Sequence, residues 1–259
     1  MIKPNIPPNE VQRLKELDAY QLIGMAEDDD YDFITTMAAQ ICNSKISLIS
    51  FVLEDKQWFL SHHGLAAREA SREESFCGHA INKPDEIMII DDARKDIRFW
   101  DNPFTTGDPY VIFYAGVPLV SPNGMPLGTL CVIDDRPKNL TPLQIQQLKS
   151  LAKQTLNLFQ LRRNQLELHK TNNDLIKNII KEQEVEQQLR IAMKNLQAIF
   201  DASQQVSIIA TDTTGIITQF NAGAERMLGY TAEELLGLHT PQLIHLDKEM
   251  EEEAANLSE

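Results

Sequence analysis

The sequence predicts an α+β protein: an antiparallel sheet flanked by helices, a long coiled-coil-type helix, and then the first part of a second antiparallel-sheet domain. Three observations carry this. Asn123-Gly124 separates two apolar runs, residues 112–120 and 127–133, and Asn-Gly between apolar runs is a strong hairpin signal because both residues accept the positive φ of a tight turn. From Thr141-Pro142 to about residue 200 the pattern stays helical, and neither proline nor glycine occurs between Pro142 and Gly215. Two short β-type runs, 206–211 and 216–220, then flank Asp212-Thr213-Thr214-Gly215.

The elements follow in order. Residues 1–10 contain one lysine and three prolines without an apolar core and are expected to be disordered. Val11, Leu14, Leu17, Leu22 and Ile23 recur at roughly helical spacing. Asp28-Asp29-Asp30 supplies a cap for a second helix carrying Phe33, Ile34, Met37, Ala38 and Ile41, because carboxylates accept from the free N–H groups of a first turn. Those acids lack the spaced partner carboxylates of a calcium loop. Residues 46–52 and 57–62, separated by Glu54-Asp55-Lys56, form a strand, a turn and a strand. A short helix is expected over 75–81, a buried strand over 87–90 and a polar loop over 91–108. With the 112–133 hairpin this makes a sheet of about five strands.

Lys and Arg total 24 against 38 Asp and Glu, a net charge of -14, which argues against nucleic acid as a partner and against docking on an anionic membrane. The most apolar run, residues 111–120, is too short to span a bilayer and contains Pro118. Residues 1–10 do not form a signal peptide. Cys42, Cys77 and Cys131 sit among apolar neighbours without paired spacing, which predicts reduced, buried thiols and a cytoplasmic protein without direct membrane insertion.

Alternate steps of four and three from Leu161 reach Gln165, Leu168, Asn172, Leu175, Ile179, Glu182, Glu186, Leu189, Met193, Leu196 and Phe200. The apolar majority along this seam predicts a homodimer through parallel linker helices. The polar members weaken the seam, as expected of a coil that must rearrange. A single helix folded back on its own domain is the alternative, and the lack of any turn residue disfavours it.

Residues 13–158 resemble the GAF family. The matching stretches are Glu54-Asp55-Lys56-Gln57-Trp58-Phe59, Ser75-Phe76-Cys77-Gly78-His79-Ala80-Ile81, Asp96-Ile97-Arg98-Phe99-Trp100-Asp101-Asn102-Pro103, Phe113-Tyr114-Ala115-Gly116-Val117-Pro118-Leu119 and Leu127-Gly128-Thr129-Leu130-Cys131-Val132-Ile133-Asp134. From Leu196 the chain resembles a PAS domain, through Ile199-Phe200-Asp201-Ala202-Ser203, Ile209-Ala210-Thr211-Asp212 and Glu225-Arg226-Met227-Leu228-Gly229-Tyr230-Thr231-Ala232-Glu233-Glu234-Leu235-Leu236-Gly237. The implied organisation is a disordered 1–10, a GAF domain over 11–158, a coiled-coil linker over 159–200 and an incomplete PAS domain over 201–259, which ends past the acidic stretch 249–253. The resemblance implies the sensory input module of a bacterial signalling protein, with a histidine kinase or diguanylate cyclase output beyond this chain.

Within the chain itself no catalytic residue is expected. His169 is followed by Lys170-Thr171 where a phospho-accepting histidine would have an acidic neighbour, and there is neither a cyclase signature nor a Gly-Lys-Ser/Thr phosphate loop. Some GAF proteins reduce free methionine sulfoxide with cysteines; Cys77-Gly78 resembles one of those positions, but the nucleophile's place near residues 98–102 holds no cysteine. Covalent bilin attachment is not expected, since no cysteine lies between Cys77 and Cys131. Asn82-Lys83 matches only the start of the cyclic-nucleotide signature. His62 and His63 point to opposite faces of a strand, and no metal or other cofactor is expected.

GAF ligand cavities lie between one sheet face and the helix-loop excursion. By that resemblance Phe76, Cys77, His79, Arg98, Phe99, Trp100 and Tyr114 are the candidate binding residues. Aromatic walls with one Arg and one His would suit a small planar or anionic ligand. Alternatively, the same residues fill a core and fix the loop, and the domain is a structural dimerisation spacer with an empty pocket.

Overall fold

In the computed structural model the described residues are 1–244, and the acidic stretch 249–253 lies outside them. The chain divides into two units, Met1–Thr171 and Asn172–Glu259. The first holds helices α1 (Glu10–Asp18) and α2 (Asp29–Cys42), strands β1 (Ile46–Val52), β2 (Lys56–His63) and β3 (Glu69–Ser71), and α3 (Phe76–Ala80). Then come β4 (Met88–Ile90), α4 (Pro103–Thr106), β5 (Phe113–Val120), β6 (Pro126–Asp134) and the start of α5 (Pro142–Ala202).

The strands form one sheet in the order β3-β2-β1-β6-β5-β4, every neighbouring pair antiparallel. Every residue of the central strands β1 and β6 is buried, as two covered faces require. On one face Ile49, Phe51, Leu130 and Val132 meet α1, α2 and the beginning of α5. Phe159 is the keystone of that layer, with its ring 5.3 Å from Phe51, 5.8 Å from Tyr31 and 6.1 Å from Tyr20. It sits where the linker was expected to begin, so the domain's core reaches one residue into that stretch. On the opposite face Leu48, Val52, Phe59, Tyr114 and Cys131 meet α3 and the irregular excursion. Strands β1 and β6 approach so closely at Gly128 that a Cβ there would overlap the Ser50 carbonyl, which explains the glycine.

Local chemistry sets the element ends. The Asp28 side chain accepts from the Asp30 N–H and caps α2, and Ser75 Oγ accepts from the Gly78 N–H at 2.6 Å to cap α3. Thr141 and Gln144 cap α5 reciprocally: Gln144 N–H donates to Thr141 Oγ1 at 3.3 Å, and Thr141 N–H to Gln144 Oε1 at 2.9 Å. The polar loop 91–108 carries a 3-10 turn at Ala93–Lys95, capped by Asp92, and α4, capped by Asn102.

Arg13 is fully buried, and its guanidinium donates to the carbonyls of Val52, Pro126 and Leu127. Glu10 balances it at 2.7 Å and also takes Arg72 at 2.5 Å, so one carboxylate ties α1 to the sheet and to the segment before α3. Burial pushes the Glu10 carboxyl up, but hydrogen bonds from Arg13 and Arg72 outweigh it and hold the group below its ordinary value.

Several expectations are corrected. Residues 1–9 are not disordered but form an extended strap: Ile2 N–H donates to the Arg98 carbonyl at 3.2 Å, Asn82 Nδ2 donates to the Asn5 carbonyl, and Pro4 lies against Gly78. Prolines at 4, 7 and 8 hide this in the sequence, since a strap needs no periodicity. The sheet has six strands; β3 is a three-residue edge strand whose polar Glu69-Ala70-Ser71 carries no β signal.

The second unit contains β7 (Ile209–Thr211), β8 (Ile217–Phe220), α6 (Ala222–Leu228), α7 (Ala232–Leu235) and a 3-10 turn at Pro241–Ile244, around a core of Ile217, Phe220, Ala224 and Leu235. The strand expected over 206–211 is paired only from Ile209. Asn221 supplies the reason: its Nδ2 donates to the Ser203 and Val206 carbonyls, and its Oδ1 accepts from the Ile208 and Ala224 N–H groups. A buried side chain thus occupies backbone groups that a longer strand would have used.

Candidate functional site

Above the sheet face opposite the long helix lies a cavity of about 380 Å³. Its floor is Leu48, Gln57, Phe59, Tyr114 and Ile133 from the strands, and Phe76 and Cys77 of α3 form one wall. Phe104 and Val111 close the side given by the excursion, and Glu69, Glu74 and Asp108 stand along its edge, the Glu69 carboxylate turned away to Lys56. No Lys, Arg or His lines it. Gln57 is held by a 3.2 Å hydrogen bond from Ser50 Oγ, and Glu69 pairs with Lys56 outside. A mostly apolar wall without Lys, Arg or His suits an uncharged or cationic small molecule.

The candidate residues divide. Phe76, Cys77 and Tyr114 line the cavity. Phe99 is completely buried behind the wall, its ring stacked on Phe76 at 3.9 Å. His79 meets Phe99 edge-on at 5.0 Å, and its Nε2–H donates to the Ile2 carbonyl at 3.0 Å. Burial, the largest influence, holds the His79 imidazole below its ordinary value. Arg98 lies over the other side of Phe99 at 4.9 Å and pairs with Asp96, whose carboxyl that guanidinium holds low. His79 and the Arg98 carbonyl seat the N-terminal strap, and both residues line a second cavity of about 510 Å³ beside Ile2, Lys3 and Asn5. Trp100 is 56% exposed and is not part of this cavity's lining. Sequence reasoning missed Leu48, Gln57, Phe59, Phe104 and Val111; alternation along β1 and β2 puts Leu48, Gln57 and Phe59 on one sheet face, but only the excursion's path says that this face is roofed.

Beneath the cavity wall Tyr114 Oη–H donates to Cys77 Sγ at 3.4 Å, and Cys77 Sγ lies 4.0 Å from Cys131 Sγ. Gly116 makes the tyrosine's position possible, because a Cβ there would overlap the Tyr114 hydroxyl. Burial pushes Tyr114 well above its ordinary value, and Cys131 is raised too, first by its contact with Cys77 and then by burial. Cys77 is the more acidic thiol, lowered chiefly by the hydrogen bond from Cys131. Thr129 Oγ1, also buried, has no partner. Among the described residues no group of His, Cys, Asp and Glu is placed to hold a metal ion, and no helix is long and apolar enough to cross a membrane.

Comparison with known families gives the class. Residues 28–156 match the GAF domain and residues 194–259 match the PAS fold. The chain thus carries a GAF domain followed by a PAS-fold segment, both of them sensory domain types. Over 138 residues it is 37% identical to a cyclic di-GMP phosphodiesterase of Pseudomonas aeruginosa, a match covering 53% of this chain and 23% of that protein. The chain thus spans less than a quarter of this relative's length.

Among solved structures, the GAF domain of an Acinetobacter phosphoenolpyruvate-protein phosphotransferase aligns with a TM-score of 0.44 at 17% identity, covering 59% of this chain and 93% of that one. The blue-light-absorbing form of the Thermosynechococcus elongatus PixJ GAF domain aligns with a TM-score of 0.44 at 13% identity, over 66% and 97% of the two chains.

Proposed function

We propose that this chain is the cytoplasmic input region of a two-component or cyclic-di-GMP signalling protein, with its GAF cavity as the ligand sensor and α5 as the relay. One observation supports the relay above others. Leu48 on β1 lines the cavity, and Phe51 on the same strand packs at 5.3 Å against Phe159 of α5, so a ligand that shifts β1 also loads the helix. A ligand biases such a system only by its difference in affinity for the two helix arrangements. The seam residues Leu161, Leu168, Leu175, Leu189 and Leu196 are exposed on the single chain, which supports burial against the same helix of a second copy in a parallel homodimer.

Native mass spectrometry of the full chain tests the sensor: a copurifying uncharged or cationic small molecule, lost when Phe59→Ala reshapes the floor, is expected. A cavity that stays empty, and takes up no member of a library of such molecules, would leave the dimerisation-spacer reading. Sedimentation tests the relay's oligomeric basis, and a monomer throughout the micromolar range would overturn the dimer.

A further inference from the structure

The sensory reading leaves the 4.0 Å contact between the two buried sulfurs without a role. We propose that Cys77 and Cys131 are a reversible dithiol–disulfide site, oxidised by a small hydroperoxide that enters through the cavity. The geometry assigns different roles to the two sulfurs. Cys77, on α3, forms part of the cavity wall, whereas Cys131, in the middle of the central strand β6, is completely buried and does not line the cavity. An oxidant in the cavity therefore meets Cys77 first. The Tyr114 hydroxyl donating to that sulfur stabilises the thiolate, which is the reactive form.

The chemistry balances in two steps. The Cys77 thiolate attacks the hydroperoxide, the O–O bond breaks, and with one proton taken up the products are a Cys77 sulfenic acid and an alcohol, or water when the oxidant is hydrogen peroxide. Cys131 then attacks the Cys77 sulfur: the S–O bond breaks, the disulfide forms, and the oxygen leaves as water with the Cys131 proton. Two electrons pass from the thiols to the peroxide. A small thiol reverses the reaction by exchange.

Closure requires the sulfurs to approach by about 2 Å. Strand β6 is hydrogen-bonded on both sides, so the five-residue helix α3 is the partner that moves. Oxidation thereby draws Cys77 out of the cavity wall and pulls on Phe76 beside it. Cys42 is the internal control: it is buried, pushed up to about 11 by that burial, and has no thiol neighbour.

Treating the reduced full chain with hydrogen peroxide, unfolding it, alkylating free thiols and mapping peptides tests this without any substitution. The expected result is loss of two alkylatable thiols, an intramolecular Cys77–Cys131 link, Cys42 still alkylated, and full recovery after dithiothreitol. In Cys131→Ala, confirmed folded by circular dichroism, Cys77 should accumulate as a dimedone-trapped sulfenic acid. Three free thiols after treatment, Cys77 recovered as unlinked sulfinic acid, or links involving Cys42 would each overturn the proposal.

Discussion

The rings of Phe76 and Phe99 lie 3.9 Å apart and within 9° of parallel, so the residue that walls the cavity is itself braced from behind. Truncating the brace should therefore cost stability as a core residue does. Phe99→Ala is expected to lower the unfolding free energy of the first unit by about 3–5 kcal/mol. Trp100→Ala, one residue on and exposed, should stay within about 0.5 kcal/mol of the parent. Urea titrations of the two variants check the pair, and equal losses would contradict the arrangement.

Glu10 stands between two buried guanidiniums. Glu10→Gln leaves Arg13 and Arg72 without a counter-charge and is expected to destabilise by about 3 kcal/mol. Since the carboxyl is held below its ordinary value of 4.5, its contribution is fully present above that pH and lost as pH falls through the folded-state value. The parent's stability should accordingly drop more steeply than the variant's below about pH 4.5.

His79 gives a second pH signature at higher pH. Its folded-state pKa lies below the ordinary 6.5, so the unfolded chain binds the proton more readily. Stability from neutral His79 is complete above that value and declines as pH falls beneath it. Calorimetry from pH 7.5 to 5.5 should show a decline that His79→Gln abolishes; the groups facing the ring are Arg98, Asp96 and the Ile2 carbonyl.

Tyr114 depends on the missing side chain at Gly116. Gly116→Ala should displace the tyrosine hydroxyl and cost about 1–3 kcal/mol through overpacking. Tyr114→Phe removes only the hydrogen bond to Cys77 and should cost about 1 kcal/mol. Thermal melts separate the two effects.

Along α5, replacing both Glu182 and Glu186 by leucine should tighten self-association by removing like charges from the seam. Sedimentation equilibrium at several concentrations reads the change. Weakened association would contradict a shared seam at these positions.

The frame of the first unit could be read from its residues because strand alternation, caps and the Asn123-Gly124 turn act locally. Asp28, Ser75 and Thr141 all cap the helices that their positions announce. What stayed hidden depended on distant partners. The strap is held by carbonyl contacts to Arg98 and His79, and β3 forms only because Lys56 to Trp58 offers an edge. The cavity was half visible for the same reason: motif blocks delivered Phe76, Cys77 and Tyr114 to its wall, whereas Phe99 lies behind the Phe76 ring and His79 and Arg98 face the strap. In the second unit Asn221 acts on backbone groups from Ser203 to Ala224, a reach that no periodicity reports.

The mostly apolar lining also bears on how such a signalling chain would read its input. A wall that offers few polar groups discriminates mainly by shape and size, so molecules of similar outline would be read as one and the same message.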